Sequence, residues 1–265
     1  MNRKPIGIFD SGLGGLSVLK KIQQQLPGED IVYLGDTARV PYGTRSKKTI
    51  ERFSIQCARF LVDKGVKCIV IACNTSSSNA LEIIKKQTSL PIFDVVNSSI
   101  EALKELKSVK NIGVIGTSAT VNSHIHRKLI NFRKFKIVFE IPCPLFVPLV
   151  ENGEIESKIT DLVAHKYLSK KRDKVQAVIM ACTHFPIIKK SIKKALGEKV
   201  TLIDPAEKLS LSLKEYLLKN NFESDRNNGK LTFYVTDISS TFKDTASVFL
   251  GKHSQLKIRK TSLDN

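Results

Sequence analysis

Two cysteines stand in matching company. Val70-Ile71-Ala72-Cys73-Asn74-Thr75 and Ile179-Met180-Ala181-Cys182-Thr183-His184 each run from an apolar segment into a thiol and then into polar residues. Asn74-Thr75-Ser76 are good helix N-caps, and Pro186 suits a first helical turn. Each thiol is therefore expected at the carboxyl end of a strand, where open α/β sheets bind ligands. Each is also expected beside a helix N-terminus, whose dipole favours a thiolate. Taken alone, either cysteine reads equally well as a small apolar residue closing a buried strand. Taken as a pair in matched settings, they point to chemistry. Two thiols opposed across one carbon can invert a stereocentre: one thiolate removes a proton from one face, and the other thiol returns a proton to the opposite face. Zinc is poorly served, since Cys-x-His at 182–184 is not a usual ligand spacing and no second close pair exists. A redox role would require a disulfide between Cys73 and Cys182, which a reducing compartment disfavours.

A second polar segment follows the first apolar run. Asp10-Ser11-Gly12-Leu13-Gly14-Gly15 superficially resembles a dinucleotide fingerprint, but the third glycine is replaced by Ser17. Asp10 would also set a negative charge against a pyrophosphate. An Asp-Ser pair suits an ammonium group instead, and the glycines allow close backbone approach to a small ligand. A plain glycine-rich turn is the simpler alternative. Asp36-Thr37-Ala38-Arg39-Val40-Pro41-Tyr42-Gly43 is a polar loop whose backbone N–H groups could hold a carboxylate. Arg39 there reads equally as a ligand contact or as a structural ion-pair partner.

These residues need a scaffold. Short β-branched runs alternate with helical patterns, the mark of an α/β protein with mostly parallel sheets. Strands are expected at Ile6–Phe9, Ile31–Leu34, Cys68–Ala72, Asn111–Ile115, Lys136–Glu140, Ala177–Ala181, Val200–Ile203 and Leu231–Val235. Ser46 is placed to cap a helix bearing Ile50, Phe53, Cys57, Phe60 and Leu61 at helical spacing. Cys57 and Cys68 thus read as packing residues. Residues Glu223–Lys230 are expected to form a loop, and the tail after Leu256 to fray. The 265 residues suit two domains. An internal echo supports two similar halves: Ile6-Gly7-Ile8-Phe9-Asp10-Ser11 matches Ile112-Gly113-Val114-Ile115-Gly116-Thr117, and the two cysteine segments match at nearly the same separation.

Composition narrows the function classes. Apolar residues at 42% exclude a disordered chain. No apolar run approaches the ~20 residues that span a bilayer, and no signal peptide opens the chain. Five cysteines without a CxxC pair fit free thiols in a reducing cytoplasm. The formal charge of +18 comes from lysines spread along the chain, with no Arg-rich arm or nucleic-acid motif. It is read as a solvated basic surface that also attracts an acidic substrate, and nucleic acid is not expected as a partner.

Six stretches then carry a resemblance: FDSGLGGLSV (9–18), DTARVPYG (36–43), ACNTSS (72–77), GVIGTSAT (113–120), CPLFVPLVENG (143–153) and ACTHFP (181–186). In this order they resemble the glutamate racemases of the aspartate/glutamate racemase superfamily, over nearly the whole chain. The family usually has Gly where Ala181 stands and Tyr where Phe185 stands. The resemblance implies two α/β domains related by a pseudo-twofold duplication, with the active site between them. The first is discontinuous (1–96 plus 207–265) and the second spans 97–206. It implies cofactor-independent, metal-free racemisation of glutamate, supplying D-glutamate for peptidoglycan synthesis, by a chain that could form a homodimer. Cys73 and Cys182 become the acid/base pair, Asp10 and His184 their assistants, and Glu151 a polar partner. Substrate contacts carry to Asp10, Ser11, Tyr42, Gly43, Asn74, Thr75, Thr183 and His184.

Such a pair faces a proton-balance problem. One thiolate and one thiol must coexist, although both expected helix termini favour thiolate. Asp10 near Cys73 would oppose ionisation there, and a protonated His184 would favour it at Cys182. The alternatives are an aspartate racemase of the same superfamily and, more distantly, a non-enzymatic basic binding module.

Overall fold

The computed structural model describes residues 3–130, 132–238, 242–250 and 257–263. The strands are β1 (Ile6–Asp10), β2 (Ile31–Gly35), β3 (Cys68–Ile71), β4 (Ile92–Asp94), β5 (Asn111–Gly116), β6 (Lys136–Pro142), β7 (Ala177–Ala181), β8 (Thr201–Ile203), β9 (Leu231–Val235) and β10 (Ile258–Lys260). They form two sheets, ordered β10-β9-β2-β1-β3-β4 and β6-β5-β7-β8. Every neighbouring pair is parallel. The fold is α/β, as the alternating sequence pattern predicts.

The internal echo has a structural counterpart. In each sheet the first strand of its half lies between the second and third, giving the orders β2-β1-β3-β4 and β6-β5-β7-β8. The echoing segments therefore occupy equivalent places: Asp10-Ser11 and Gly116-Thr117 end β1 and β5, and the two cysteines follow β3 and β7. The first sheet also recruits β9 and β10 from the end of the chain.

Period-two alternation decides which core each strand feeds. Ile6 and Ile8 of β1, Cys68 and Val70 of β3, and Val178 and Met180 of β7 enter one large apolar cluster shared by both sheets. Phe9, Ile69 and Ile71 point to a second cluster with Cys57 and Leu61. Ala177 and Ile179 point to a third with Ile112 and Val114. Both Cys57 and Cys68 are fully buried, as packing residues should be.

Helix starts follow local chemistry. Ser46 Oγ accepts from Thr49 N at 3.3 Å to open the helix Lys47–Asp63. Asp94 Oδ1 accepts from Val96 N and Asn97 N, both at 3.0 Å, to open Val95–Glu105. Asp204 and Pro205 open Pro205–Lys219. Those last two helices pack together where the chain passes between the sheets, tied by Lys208 to Glu105 at 2.6 Å and Ser212 to Glu101 at 3.0 Å.

Two strands were not expected. β4 is only three residues long, and β10 is Ile258-Arg259-Lys260 in a basic segment that sequence reading assigns to a fraying tail. Both are sheet edges, where short length and charge discourage pairing with another chain. Leu256 itself lies outside the described residues. Glu223–Lys230 is a loop, as expected. Among the described residues no helix is long and apolar enough to cross a membrane.

One buried group should make stability acid-sensitive. His126 is 1% exposed, and burial, only partly opposed by Glu140, pushes its imidazole down from 6.5 to about 4. The unfolded chain therefore takes up a proton near 6.5 that the folded chain refuses until about 4. Stability conferred by the neutral ring is present above 6.5 and is lost as pH falls toward 4, by up to about 3 kcal/mol. Urea unfolding at pH 7 and pH 4.5 should show this loss, and His126→Phe should flatten it. An unchanged pH slope in that variant would contradict this assignment.

Candidate active site

The carboxyl ends of the two sheets meet. Thr75 and Thr117 hydroxyls are 2.9 Å apart, and Ser17 Oγ donates to the Thr183 carbonyl at 3.3 Å. Gly14 and Gly43 make this approach possible. A Cβ on Gly14 would lie 2.3 Å from Thr183 Oγ1, and one on Gly43 would lie 2.7 Å from Thr117 Cβ. At Gly14 the close approach expected for a small ligand is instead made by Thr183 and His184 from the other sheet.

Between the joined edges is a cavity of about 330 Å3. Cys73 borders it from the first sheet and Cys182 from the second. Ser11, Tyr42, Gly43, Asn74, Thr75, Glu151, Thr183 and His184 also line it. Thr117 and Ser118 are further lining residues that sequence reasoning did not assign. The signal was available, because the internal echo pairs Thr117 with Ser11.

Asp10 is the exception. It is 1% exposed and does not border the cavity. Its Oδ2 accepts from Gly12 N at 2.8 Å, so the carboxylate holds the glycine turn, while its Oδ1 is buried with no hydrogen-bond partner among the described residues. Burial pushes this carboxyl up, opposed by the cation at His184 and by the Gly12 and Gly15 N–H groups. Tyr42 does border the cavity, but its hydroxyl donates to Asp36, so the rest of the residue forms the wall. Arg39 resolves to a structural role. Its Nε donates to Asp36 Oδ2 at 2.7 Å, and its guanidinium lies 4.2 Å over the Phe53 ring.

The two thiols sit in unlike surroundings. Cys73 opens the helix Asn74–Lys85, as expected, and donates to Ser11 Oγ at 3.4 Å. Burial, then the charge of Asp10, push this thiol up to about 11 against its hydrogen bonds with Ser11 and Ser76. Cys182 does not open an α-helix. Its chain continues through a 3-10 turn, Phe185–Ile188, before the helix Lys189–Leu196 begins. His184 supplies what the helix terminus was expected to supply: its Nδ1 is 3.8 Å from Cys182 Sγ, and its Nε2 is 3.0 Å from Glu151 Oε1. Burial lowers the imidazolium, but Cys182 and Glu151 outweigh it and raise it to about 10. Phe185 is fully buried, edge-on to Phe146 at 5.1 Å, a setting that needs no hydroxyl. Phe146 opens the short helix that ends at Glu151.

Among the described residues no lysine or arginine lines the cavity. Negative groups of a ligand would meet hydroxyls, backbone N–H groups and the Asn74 amide. Asn74 is 3% exposed and neither polar atom of its amide has a protein partner. A buried amide in this state costs on the order of 1–3 kcal/mol unless something satisfies it. Among the described residues no group of three or more His, Cys, Asp or Glu could hold a metal ion, and all five cysteines are free.

Fold and site together define an α/β protein of two parallel sheets whose ligand cavity, bordered by one thiol from each sheet, lies at their joined carboxyl edges. The residue pattern of the Asp/Glu/Hydantoin racemase family matches residues 6–209, and the chain belongs to that family. It is 48% identical to the glutamate racemase of Aquifex pyrophilus over 254 residues, 96% of each chain. The crystal structure of glutamate racemase from Francisella tularensis in complex with D-glutamate superposes with a TM-score of 0.93 at 41% identity, covering 100% of this chain and 99% of that one. The Thermus thermophilus glutamate racemase in complex with β-chloro-D-alanine gives 0.89 at 37% identity, covering 99% and 98%.

Proposed function

We propose that this chain interconverts L- and D-glutamate by proton transfer between Cys73, Cys182 and the substrate α-carbon, with no cofactor. One observation carries the reading: two buried thiols, one from each sheet, border a single cavity. The glutamate racemases of Aquifex pyrophilus and Francisella tularensis support the choice of substrate, and the second was crystallised with D-glutamate.

The unlike surroundings of the thiols answer the proton-balance problem. Cys73, raised to about 11, stays a thiol at neutral pH. The charged His184 beside Cys182 suits an anion on that sulfur. In the first direction Cys182 thiolate takes the α-hydrogen. The electron pair left on carbon is delocalised into the α-carboxylate, where the donors at Asn74, Thr75 and the facing hydroxyls stabilise it. Cys73 then gives its proton to the opposite face. The product leaves Cys73 as thiolate and Cys182 as thiol, which is the starting state for the reverse direction. Asp10 acts through Cys73, holding the glycine turn below it and opposing its ionisation. Glu151 acts through His184.

The two sheets support a division into two domains, 1–96 with 207–265, and 97–206. Free thiols suit a reducing cytoplasm, and D-glutamate is a building block for peptidoglycan synthesis. Protein dialysed against chelator should be offered L-glutamate and L-aspartate separately while optical rotation is followed. Rotation of glutamate should decay to zero, and that of aspartate should hold. Dependence on added pyridoxal phosphate, or faster decay with aspartate, would overturn the proposal.

A further inference from the structure

His184 enters the site from the second sheet, but its imidazole packs against the first sheet's half of the molecule. A Cβ on Gly14 would lie 2.5 Å from His184 Cε1 and 2.6 Å from Nδ1, so the backbone of the turn after β1 lies against the ring. An aromatic ring meets it as well: the Phe249 and His184 rings are perpendicular, with centroids 5.4 Å apart. Phe249 is buried in the helix Phe242–Leu250, which packs on the helix Leu16–Gln25 that follows the same turn. It lies beyond residues 6–209, the stretch that matches the family pattern, and it does not border the reaction cavity.

The polar contacts of His184 do not by themselves fix its ring. Nδ1 is 3.8 Å from the Cys182 sulfur, a long contact. Nε2 meets Glu151 at 3.0 Å, a side chain that is 37% exposed. The third charge that bears on the ring is the buried carboxyl of Asp10, in the same glycine turn as Gly14. The outer torsion of a histidine is broad, without deep staggered wells, so a ring held only at its nitrogens can swing. Close packing from Gly14 and Phe249 removes that freedom. Perpendicular aromatic rings also attract, the positive edge of one meeting the negative face of the other, which gives the pair a preferred orientation.

We infer that Phe249 is a positioning residue for the Cys182 half of the reaction: packed with Gly14 against His184, it holds the imidazole aligned between Cys182 and Glu151. This rests on the reading of His184 as the group that assists Cys182. It gives the helix Phe242–Leu250 a task at the site, because the first sheet's half of the chain then orients an acid/base assistant carried by the second.

The test compares the full chain with three variants. Phe249→Leu keeps apolar bulk and removes the ring. Phe249→Met does the same with a more adaptable side chain, should the leucine variant not fold. Phe249→Tyr keeps the ring. The leucine and methionine variants should lose about tenfold in kcat for glutamate, part of the 10²–10⁴-fold that a positioned proton-transfer group supplies. KM should hardly change, since Phe249 does not border the cavity. Their alkaline limit of activity should move to lower pH, and the tyrosine variant should stay close to the parent. A second readout needs no turnover: NMR of isotope-labelled histidine, with the His184 signal assigned by His184→Gln, follows the charge of the ring against pH. Contacts with Cys182 and Glu151 raise the imidazolium to about 10, so any loosening moves it back toward 6.5. In the leucine variant the ring should therefore lose its charge at lower pH than in the parent. A parent protein that does not racemise glutamate would sink the proposed function, and the titration would still decide the role of Phe249. Unchanged kcat in a folded leucine variant would overturn the inference. So would an equal loss at every pH with the His184 titration unmoved, which would leave Phe249 as packing alone.

Discussion

Cys73→Ala and Cys182→Ala are each expected to lower racemisation of glutamate by about 10³-fold or more, in both directions. Each change removes the acid/base group of one face, and inversion needs both faces. The loss should lie in kcat, because neither sulfur is needed to hold the carboxylates. Cys57→Ala and Cys68→Ala are the controls. Both thiols are fully buried, Cys57 with its sulfur 3.8 Å from the Tyr42 hydroxyl, and burial raises Cys68 to about 12. They should keep turnover while losing on the order of 1 kcal/mol of stability or more. Steady-state rates with melting curves on all four proteins separate lost chemistry from lost folding. A folded Cys68→Ala protein without turnover would show that the thiols are misassigned.

Glu151→Gln is expected to lower kcat by about 10²-fold and to move the alkaline limit of activity to lower pH. The sign follows from the pair it disrupts. His184 is raised to about 10 partly by Glu151, whose Oε1 is 3.0 Å from Nε2. The glutamine keeps a hydrogen-bonding group but not the charge, so the imidazolium is lost at lower pH in the variant. With it goes the cation beside Cys182. The check is a pH profile of kcat/KM for both proteins. A parallel loss at every pH, with no movement of the alkaline limb, would reduce Glu151 to a structural residue.

The sequence made the paired cysteines and the strands behind them legible because both depend on local pattern. A buried parallel strand is a short apolar run, and a thiol followed by Asn-Thr or Thr-His is visible without a third dimension. What stayed hidden depends on partners distant in sequence. β10 is basic and three residues long, and only its pairing with β9 makes it a strand. Gly14 looked like room for a ligand, but the atoms it makes room for are 169 and 170 positions further on, in Thr183 and His184. Asp10 reads as an ammonium ligand because Asp-Ser is a polar pair, and sequence gives no sign that its Oδ2 is spent on Gly12 N or that the residue is buried behind the cavity lining. The helix expected after Cys182 begins only at Lys189, because Phe185-Pro186 first make a 3-10 turn. Local pattern also cannot tell a thiol raised by burial beside a carboxylate from one faced by an imidazolium.

The central claim is that two opposed thiols each serve one face of the α-carbon. It is tested most directly by running the reaction in heavy water from L-glutamate and stopping it early. The thiol that donates has exchanged its proton with solvent before turnover, while the thiolate that abstracts takes the substrate's own hydrogen. The D-glutamate formed should therefore carry deuterium at the α-carbon, and recovered L-glutamate should carry very little. Starting from D-glutamate should give the mirror result. A single base reaching both faces would return the original hydrogen, so early product that retained most of its protium would contradict the assignment of Cys73 and Cys182.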